Sequence, residues 1–211
     1  MKLSRTHLLS SGFIVLSFVM TAVLYNRLPE WVPTHWNARG DANGFMPKPW
    51  GPFLLPLTMA FTYGLLVVLP RISPQGYRMD RFKAVFELMQ ASILAFLFLL
   101  TVLALLAGIG VAVPMNRAVS AGVGLLLIVL GNFLGKVTKN FFVGIRTPWT
   151  LASDEVWLRT HRLGGKLFVL GGTVIFVSAL LSASLVPLVL VVTVTIAILV
   201  VYSYAVYRRI E

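Results

Sequence analysis

Residues 88–109 read LMQASILAFLFLLTVLALLAGI, 22 residues without a single charge. Wound as an α-helix at about 1.5 Å per residue, such a segment covers the roughly 30 Å hydrocarbon core of a bilayer. Working outward from it, five further uncharged apolar segments qualify or nearly qualify: 8–26, 53–70, 118–135, 167–183 and 186–206. All 18 Lys or Arg and all 7 Asp or Glu of the 211-residue chain therefore fall in the connections. A solvent that penalises every buried ion produces that partition. The composition agrees: 58% of residues are hydrophobic and 12% charged, about half the charge of an ordinary soluble domain. Soluble globular and disordered classes are both excluded, the latter because a disordered chain is poor in Val, Leu, Ile and Phe.

The fifth segment is short and is completed by Gly164, Gly165 and the aliphatic stem of Lys166, whose ammonium reaches the interface. The first segment is read as a span and not as a cleaved signal. Its uncharged stretch is too long, and Tyr25-Asn26-Arg27-Leu28 lacks the small-residue cleavage pattern. Basic residues alternate between connections. The N-terminus, second and fourth loops and C-terminus hold 14 Lys or Arg, against 4 in the other loops. The positive-inside rule then places both termini in the cytoplasm. The net charge of +11 is mostly this topological signal plus attraction to anionic lipid heads, and direct nucleic-acid binding is not expected. The expected fold is all-α: one polytopic membrane domain over 1–211, a six-helix transmembrane bundle with a structured outer loop and an amphipathic cytoplasmic helix.

Two loops are too long to be mere connectors. The outer one, 27–52, carries Pro29, Pro33, Pro47, Pro49 and Pro52, which oppose a regular helix. Residues 37–44, NARGDANG, are turn chemistry. A compact, rigid, aromatic-rich cap is expected, with Trp31, His35, Trp36 and Asp41 as candidate ligand contacts. The inner loop, 136–166, should hold a helix capped by Ser153, with Asp154 and Glu155 at its positive end. On it Glu155 and Arg159 are spaced to pair, Trp157 and His161 share a face, and Arg159, Arg162 and Lys166 form a basic stripe.

Asn132, Lys136 and Asn140 would align on one face of a continued fourth helix. Gly131 and Gly135 form a small-xxx-small pair, and Gly165, Gly172 and Ala179 recur every seven residues, so these two surfaces are expected to pack together. The Asn132 amide needs a partner at hydrocarbon depth, and a neighbouring helix is favoured over a ligand or ion. Each half of the chain is a span followed by a long Trp- and Pro-containing loop. The halves share little beyond Thr34-His35 against Thr160-His161, for which chance is the better explanation.

Chemistry has little to work with. The chain has no cysteine, no HExxH, no GxSxG and no intramembrane carboxylate pair. No enzyme activity, metal or cofactor is expected. Asp41-Ala42-Asn43-Gly44 lacks the spacing of a calcium loop. His161 is read as a structural hydrogen-bonding residue, and His35 is left open.

Residues 131–172, GNFLGKVTKNFFVGIRTPWTLASDEVWLRTHRLGGKLFVLGG, resemble the signature region of the SdpI family of bacterial membrane proteins. The carrying pieces are Gly131-Asn132, Gly135-Lys136, Asn140, the run Gly144-Ile145-Arg146-Thr147-Pro148-Trp149-Thr150-Leu151, and Trp157 with Thr160-His161. Residues 28–48 resemble a small N-terminal domain of unknown function often found with that family. The resemblance implies an integral protein of the bacterial cytoplasmic membrane that confers immunity to a secreted, membrane-active peptide toxin. It also implies a receptor that sequesters a small helix-turn-helix repressor. Lipids, toxin and repressor are thus the implied partners. Asn132, Lys136, Asn140, Arg146, Thr147, Pro148, Trp149, Trp157 and His161 are the implied contact set of the signature loop. For the Gly144–Thr150 stretch two readings stay open: a recognition surface or gate built on Arg146 and Trp149, or a folded turn shaped by Gly144 and Pro148. Other functional classes are a small-solute or ion transporter using Asn132 and Lys136, and a scaffold recruiting a soluble partner through 136–166.

Overall fold

The computed structural model describes residues 5–74, 79–182 and 184–210. Lys2 and Arg78, two of the cations used for orientation, and Ala183 at the end of the fifth expected span lie outside them. Six long helices carry the fold: α1 (Arg5–Leu24), α2 (Leu54–Val68), α3 (Lys83–Gly108), α4 (Met115–Leu134), α6 (Asp154–Leu181) and α7 (Val186–Ile210). A short helix, α5 (Pro148–Ala152), precedes α6, and two strands, β1 (Trp31–Trp36) and β2 (Ala42–Pro47), follow α1. All six long helices are long and apolar enough to cross a membrane, and the protein is a multi-pass membrane protein. By itself α2 is short, at about 22 Å, and the 3₁₀ turn Gly51–Phe53 extends it.

Helix α1 is packed inside out relative to a helix of a soluble bundle. On α1 the buried residues are Ser10, Ser17 and Thr21, while Val23 is 72% exposed. Phe61 on α2 and Val201 on α7 are likewise 73% and 65% exposed. Lipid solvates such side chains as well as a protein core does, so the helix contacts fall to small residues that let backbones approach. Two of the buried hydroxyls on α1 are satisfied within the helix, Ser17 donating to Ile14 O and Thr21 to Ser17 O, while the Ser10 hydroxyl is buried without a partner.

The most extensive contact in the molecule is between α4 and α6, and it is made backbone on backbone. A Cβ on Gly131 would sit 2.8 Å from Gly165 O, and one on Gly165 would sit 2.7 Å from Gly131 O. One turn-pair away, a Cβ on Gly124 would sit 2.7 Å from Gly172 O, and one on Gly172 would sit 2.6 Å from Gly124 O. The expected small-residue faces do meet, with one correction. The partner of the Gly165/Gly172 stripe is Gly124/Gly131, seven residues apart on the antiparallel helix. Gly135 is not part of it: a Cβ there would make an ordinary 3.7 Å contact with Arg162.

In the first half of the chain α1 packs mainly on α3, with Phe13 stacked on Phe98 at 5.4 Å, and α2 packs on α3. The corresponding pairing in the second half is α4 on α6, so the two halves are not packed as copies of one repeat.

The outer loop is ordered as an antiparallel β-hairpin, Trp31 opposite Pro47 and Trp36 opposite Ala42, with a bulge at Thr34. The sequence predicts a compact, rigid cap with turn chemistry over 37–44. The turn is confined to 37–41, and Ala42, Asn43 and Gly44 belong to β2. Asn37 makes the turn: its side-chain oxygen accepts from the Arg39 and Asp41 N–H groups, and Gly40 takes a φ of 91°. Leu28 and Val32 bury against Leu105 and fix the hairpin to the end of α3.

The glycine contacts predict that Gly131→Ala, a single added carbon, destabilises the protein by about 1–3 kcal/mol through overpacking. Gly64→Ala, where the new Cβ meets nothing within 4 Å, should not. Thermal midpoints of the two purified variants in the same detergent check this, and equal midpoints would refute the close-packed α4–α6 seam.

Candidate functional site

The signature loop is built from the end of α4. The helix stops at Leu134, so the continued helix expected to align Asn132, Lys136 and Asn140 does not form. Only Asn132 lies on α4; Asn140 lies in the loop. There its side chain competes with the helical pattern by binding backbone directly. Asn140 is fully buried, donates to the carbonyls of Thr138 and Val143, both at 2.9 Å, and accepts from the Phe142 and Val143 N–H groups. Val137 turns inward and joins Met79, Phe82, Phe86, Met89 and Trp157 in an apolar cluster. The Trp157 indole N–H donates to Val137 O at 2.8 Å, which pins the loop to α6.

The next stretch folds over the same face of α6. Gly144, with a φ of 117°, passes so close to His161 that a Cβ would sit 2.3 Å from Nε2. His161 is buried and stacked on Trp157, ring centroids 4.0 Å apart. Its Nδ1–H donates to Trp157 O and its Nε2 accepts from the Ile145 N–H, both at 2.9 Å. That pair of bonds defines a neutral imidazole with the proton on Nδ1 and leaves no lone pair for a metal or a transferable proton. Thr147 caps α5 reciprocally with Thr150: the Thr150 N–H donates to Thr147 Oγ1, and the Thr147 N–H to Thr150 Oγ1. Pro148 occupies the first turn of α5, where its missing N–H costs nothing. The Thr147 hydroxyl also reaches Ser203 Oγ on α7 at 3.0 Å, and Trp149 packs on Tyr204 at 5.0 Å.

The loop is thus a polar knot whose hydrogen bonds are made within the protein. Arg146 is exposed, but its guanidinium donates to Phe141 O of its own loop. The Asn132 amide, expected to bind a neighbouring helix, donates to Ile128 O one turn back and is exposed. Lys136 rests over the Phe133 ring at 5.2 Å, Lys139 pairs with Asp154, and Arg159 pairs with Glu155. Ser153 caps α6 by accepting from the Val156 N–H. The expected amphipathic helix and the fifth span are a single 28-residue helix, α6, about 42 Å long.

At the opposite end of the bundle a cavity of about 550 Å³ lies under the hairpin. Its wall includes His35 and Trp36 from β1, Leu54 from α2, Thr101 from α3, Ser120 from α4 and Leu188 from α7. Of the four expected outer contacts, His35 and Trp36 are therefore brought together at the cavity. Trp31 is 62% exposed and Asp41, at the turn, pairs with Arg39 and Asn37, so both lie apart from it. His35 binds Asn43 across the hairpin at 2.6 Å.

One polar cluster escaped the sequence reading, which treated Glu87 as a loop residue. The Glu87 side chain is only 12% exposed, accepts from the Thr6 hydroxyl at 2.9 Å and lies 3.6 Å from His7 Nε2. His7 Nδ1 in turn lies 3.1 Å from the Tyr63 hydroxyl. The legible signal was the flanking apolar sequence of Glu87, which places it on the same helix as the span.

Asn140 is the test of the knot. Asn140→Asp keeps the acceptor but turns a carboxylate oxygen toward the Thr138 and Val143 carbonyls, costing the loop about 1–3 kcal/mol. Trypsin should then cut faster after Lys139 or Arg146 in membrane vesicles that expose this face, and an unchanged rate would show that the amide does not hold the loop.

Comparison with known sequences agrees with this architecture. Residues 136–205 match the SdpI/YfhL protein family, and residues 12–60 match a domain of unknown function (DUF1648). The chain is 29% identical over 209 residues to Immunity protein SdpI of Bacillus subtilis (strain 168), covering 98% of each chain. No solved structure matches it significantly. The family matches cover the hairpin with parts of its flanking helices and the signature knot with α6 and most of α7, and along nearly its whole length the chain is similar to Immunity protein SdpI.

Proposed function

We propose that this protein is an immunity protein of the cytoplasmic membrane that protects its cell from a secreted, membrane-active peptide and reports the peptide's presence to the cytoplasm. The single observation that carries the reading is its end-to-end similarity to Immunity protein SdpI. In this reading both termini and the signature knot face the cytoplasm, as the excess of basic residues on that side favours. The hairpin faces outward, where exposed Trp31 and Trp50 offer aromatic surface to an amphipathic peptide.

Reporting across the membrane needs a connection between the two ends, and α7 is placed to make it. Its first turns, through Leu188, wall the outer cavity, and its last turns hold the knot through Ser203 and Tyr204. A change in how α7 seats at one end therefore acts on Thr147 and Trp149 at the other. On the inner surface Lys136, Arg159, Arg162 and Lys166 present positive charge to an acidic face of a soluble repressor.

The alternative, a small-solute or ion transporter using Asn132 and Lys136, is less favoured, because the Asn132 amide donates to Ile128 O of its own helix and the halves are not packed as a repeat.

Cells sensitive to a membrane-active peptide toxin are expected to survive it when they express this chain. Replacing both Trp31 and Trp50 by Ala should reduce that protection without reducing the amount of protein in the membrane. Unchanged killing of cells with the full-length chain inserted in their membrane would overturn the immunity reading.

A further inference from the structure

We infer that the cavity under the hairpin is a binding site for one aliphatic acyl chain of a membrane lipid. Its volume of about 550 Å³ lies within the range of small-molecule sites. It descends along α4 from Met115 to Val123, about 12 Å at 1.5 Å per residue, a depth suited to a chain entering end-on.

The chemistry of the wall defines the occupant. No Lys, Arg, Asp or Glu lines it, so nothing there would compensate a charge, and the ligand is neutral along the part that enters. Most of the surface is Leu, Val, Ala and Met from four helices. The polar groups are few and all but one are engaged or near the mouth. Thr101 donates to Leu97 O, and His35 binds Asn43 on the rim. Ser120 differs: it stands in the wall, 3% exposed, and its hydroxyl has no hydrogen-bond partner. A buried hydroxyl left unpaired is costly, and a ligand carrying one neutral polar group, such as an ester carbonyl, would satisfy it.

The location supplies the source. Leu54, 41% exposed, and Leu185 belong both to this wall and to helix ends that border the bilayer, where lipid tails are the most abundant aliphatic chains. The wall is shared between α2 and α3 on one side and α4 and α7 on the other, so an occupant lies between the halves of the protein.

The experiment uses the full chain in lipid nanodiscs, titrated with straight-chain alkanols from butanol to tetradecanol, with empty discs subtracted. Affinity should rise about fourfold for each added methylene and stop rising once the chain outgrows the cavity. Ala104→Phe from α3 and Leu188→Trp from α7 each occupy part of the space, and each should weaken decanol binding by about sixteenfold, the worth of two displaced methylenes. Leu188 is at the less tightly packed α7 wall, so its variant remains informative if Ala104→Phe misfolds. Ser120→Ala should weaken decanol by about threefold to tenfold. Affinity that climbs without a plateau, or that neither filling variant reduces, would overturn the site. So would failure of every alkanol to bind while a synthetic apolar peptide does, which would reassign the cavity to peptide. None of these outcomes bears on whether the chain confers immunity.

Discussion

The rest of the structure depends on how closely α4 and α6 approach. In water, burying large apolar side chains would hold two helices together, but lipid removes that driving force because its tails solvate Leu and Phe equally well. What remains is packing and backbone proximity, and Gly124, Gly131, Gly165 and Gly172 provide it by putting no Cβ of their own between the two backbones. The same economy explains why α1 buries Ser10, Ser17 and Thr21 and turns Val23 outward. Once α4 and α6 are locked, the chain between them has little freedom: residues 135–153 must return from the end of one helix to the start of its neighbour.

That return is where the polar signature residues are spent. Backbone at the membrane boundary without helical hydrogen bonds has to find partners inside the protein. Asn140 supplies four of them, His161 two and the Thr147–Thr150 pair several more, while Trp157 and Val137 close the apolar side. These side chains hold a shape that is then presented to the interior of the cell by Lys136, Arg159, Arg162 and Lys166 in the orientation proposed above. The buried residues of this stretch form a folded turn, and Arg146 stays exposed on it.

The two ends of the molecule differ in the same way. At the hairpin end the wall of the cavity is apolar; at the knot end a second pocket is lined by Asp80, Arg81, Lys136, Lys139 and Asp154, and the Thr138 and Thr160 hydroxyls are buried without a hydrogen-bond partner. Helix α7 touches both, through Leu188 and through Ser203 with Tyr204.

Much of this was legible in the amino-acid sequence. Hydropathy is a property of each residue that sums along a helix, so the six spans and the charge-bearing connections followed from composition and length alone. Caps are equally local, and Ser153 was readable from its neighbours Asp154 and Glu155. The spacing of Gly165 and Gly172 declared a close-packed face but not its partner. Tertiary structure decided that Gly124 and not Gly135 completes the seam, and that Asn140 leaves the helix to organise a loop. It also decided that residues 31–47 pair as strands, that Glu87 turns into the protein, and that a cavity opens beneath the hairpin. Each of these depends on which surfaces meet across distant segments, and pairwise contact, unlike partition into lipid, is not carried by any one stretch of chain.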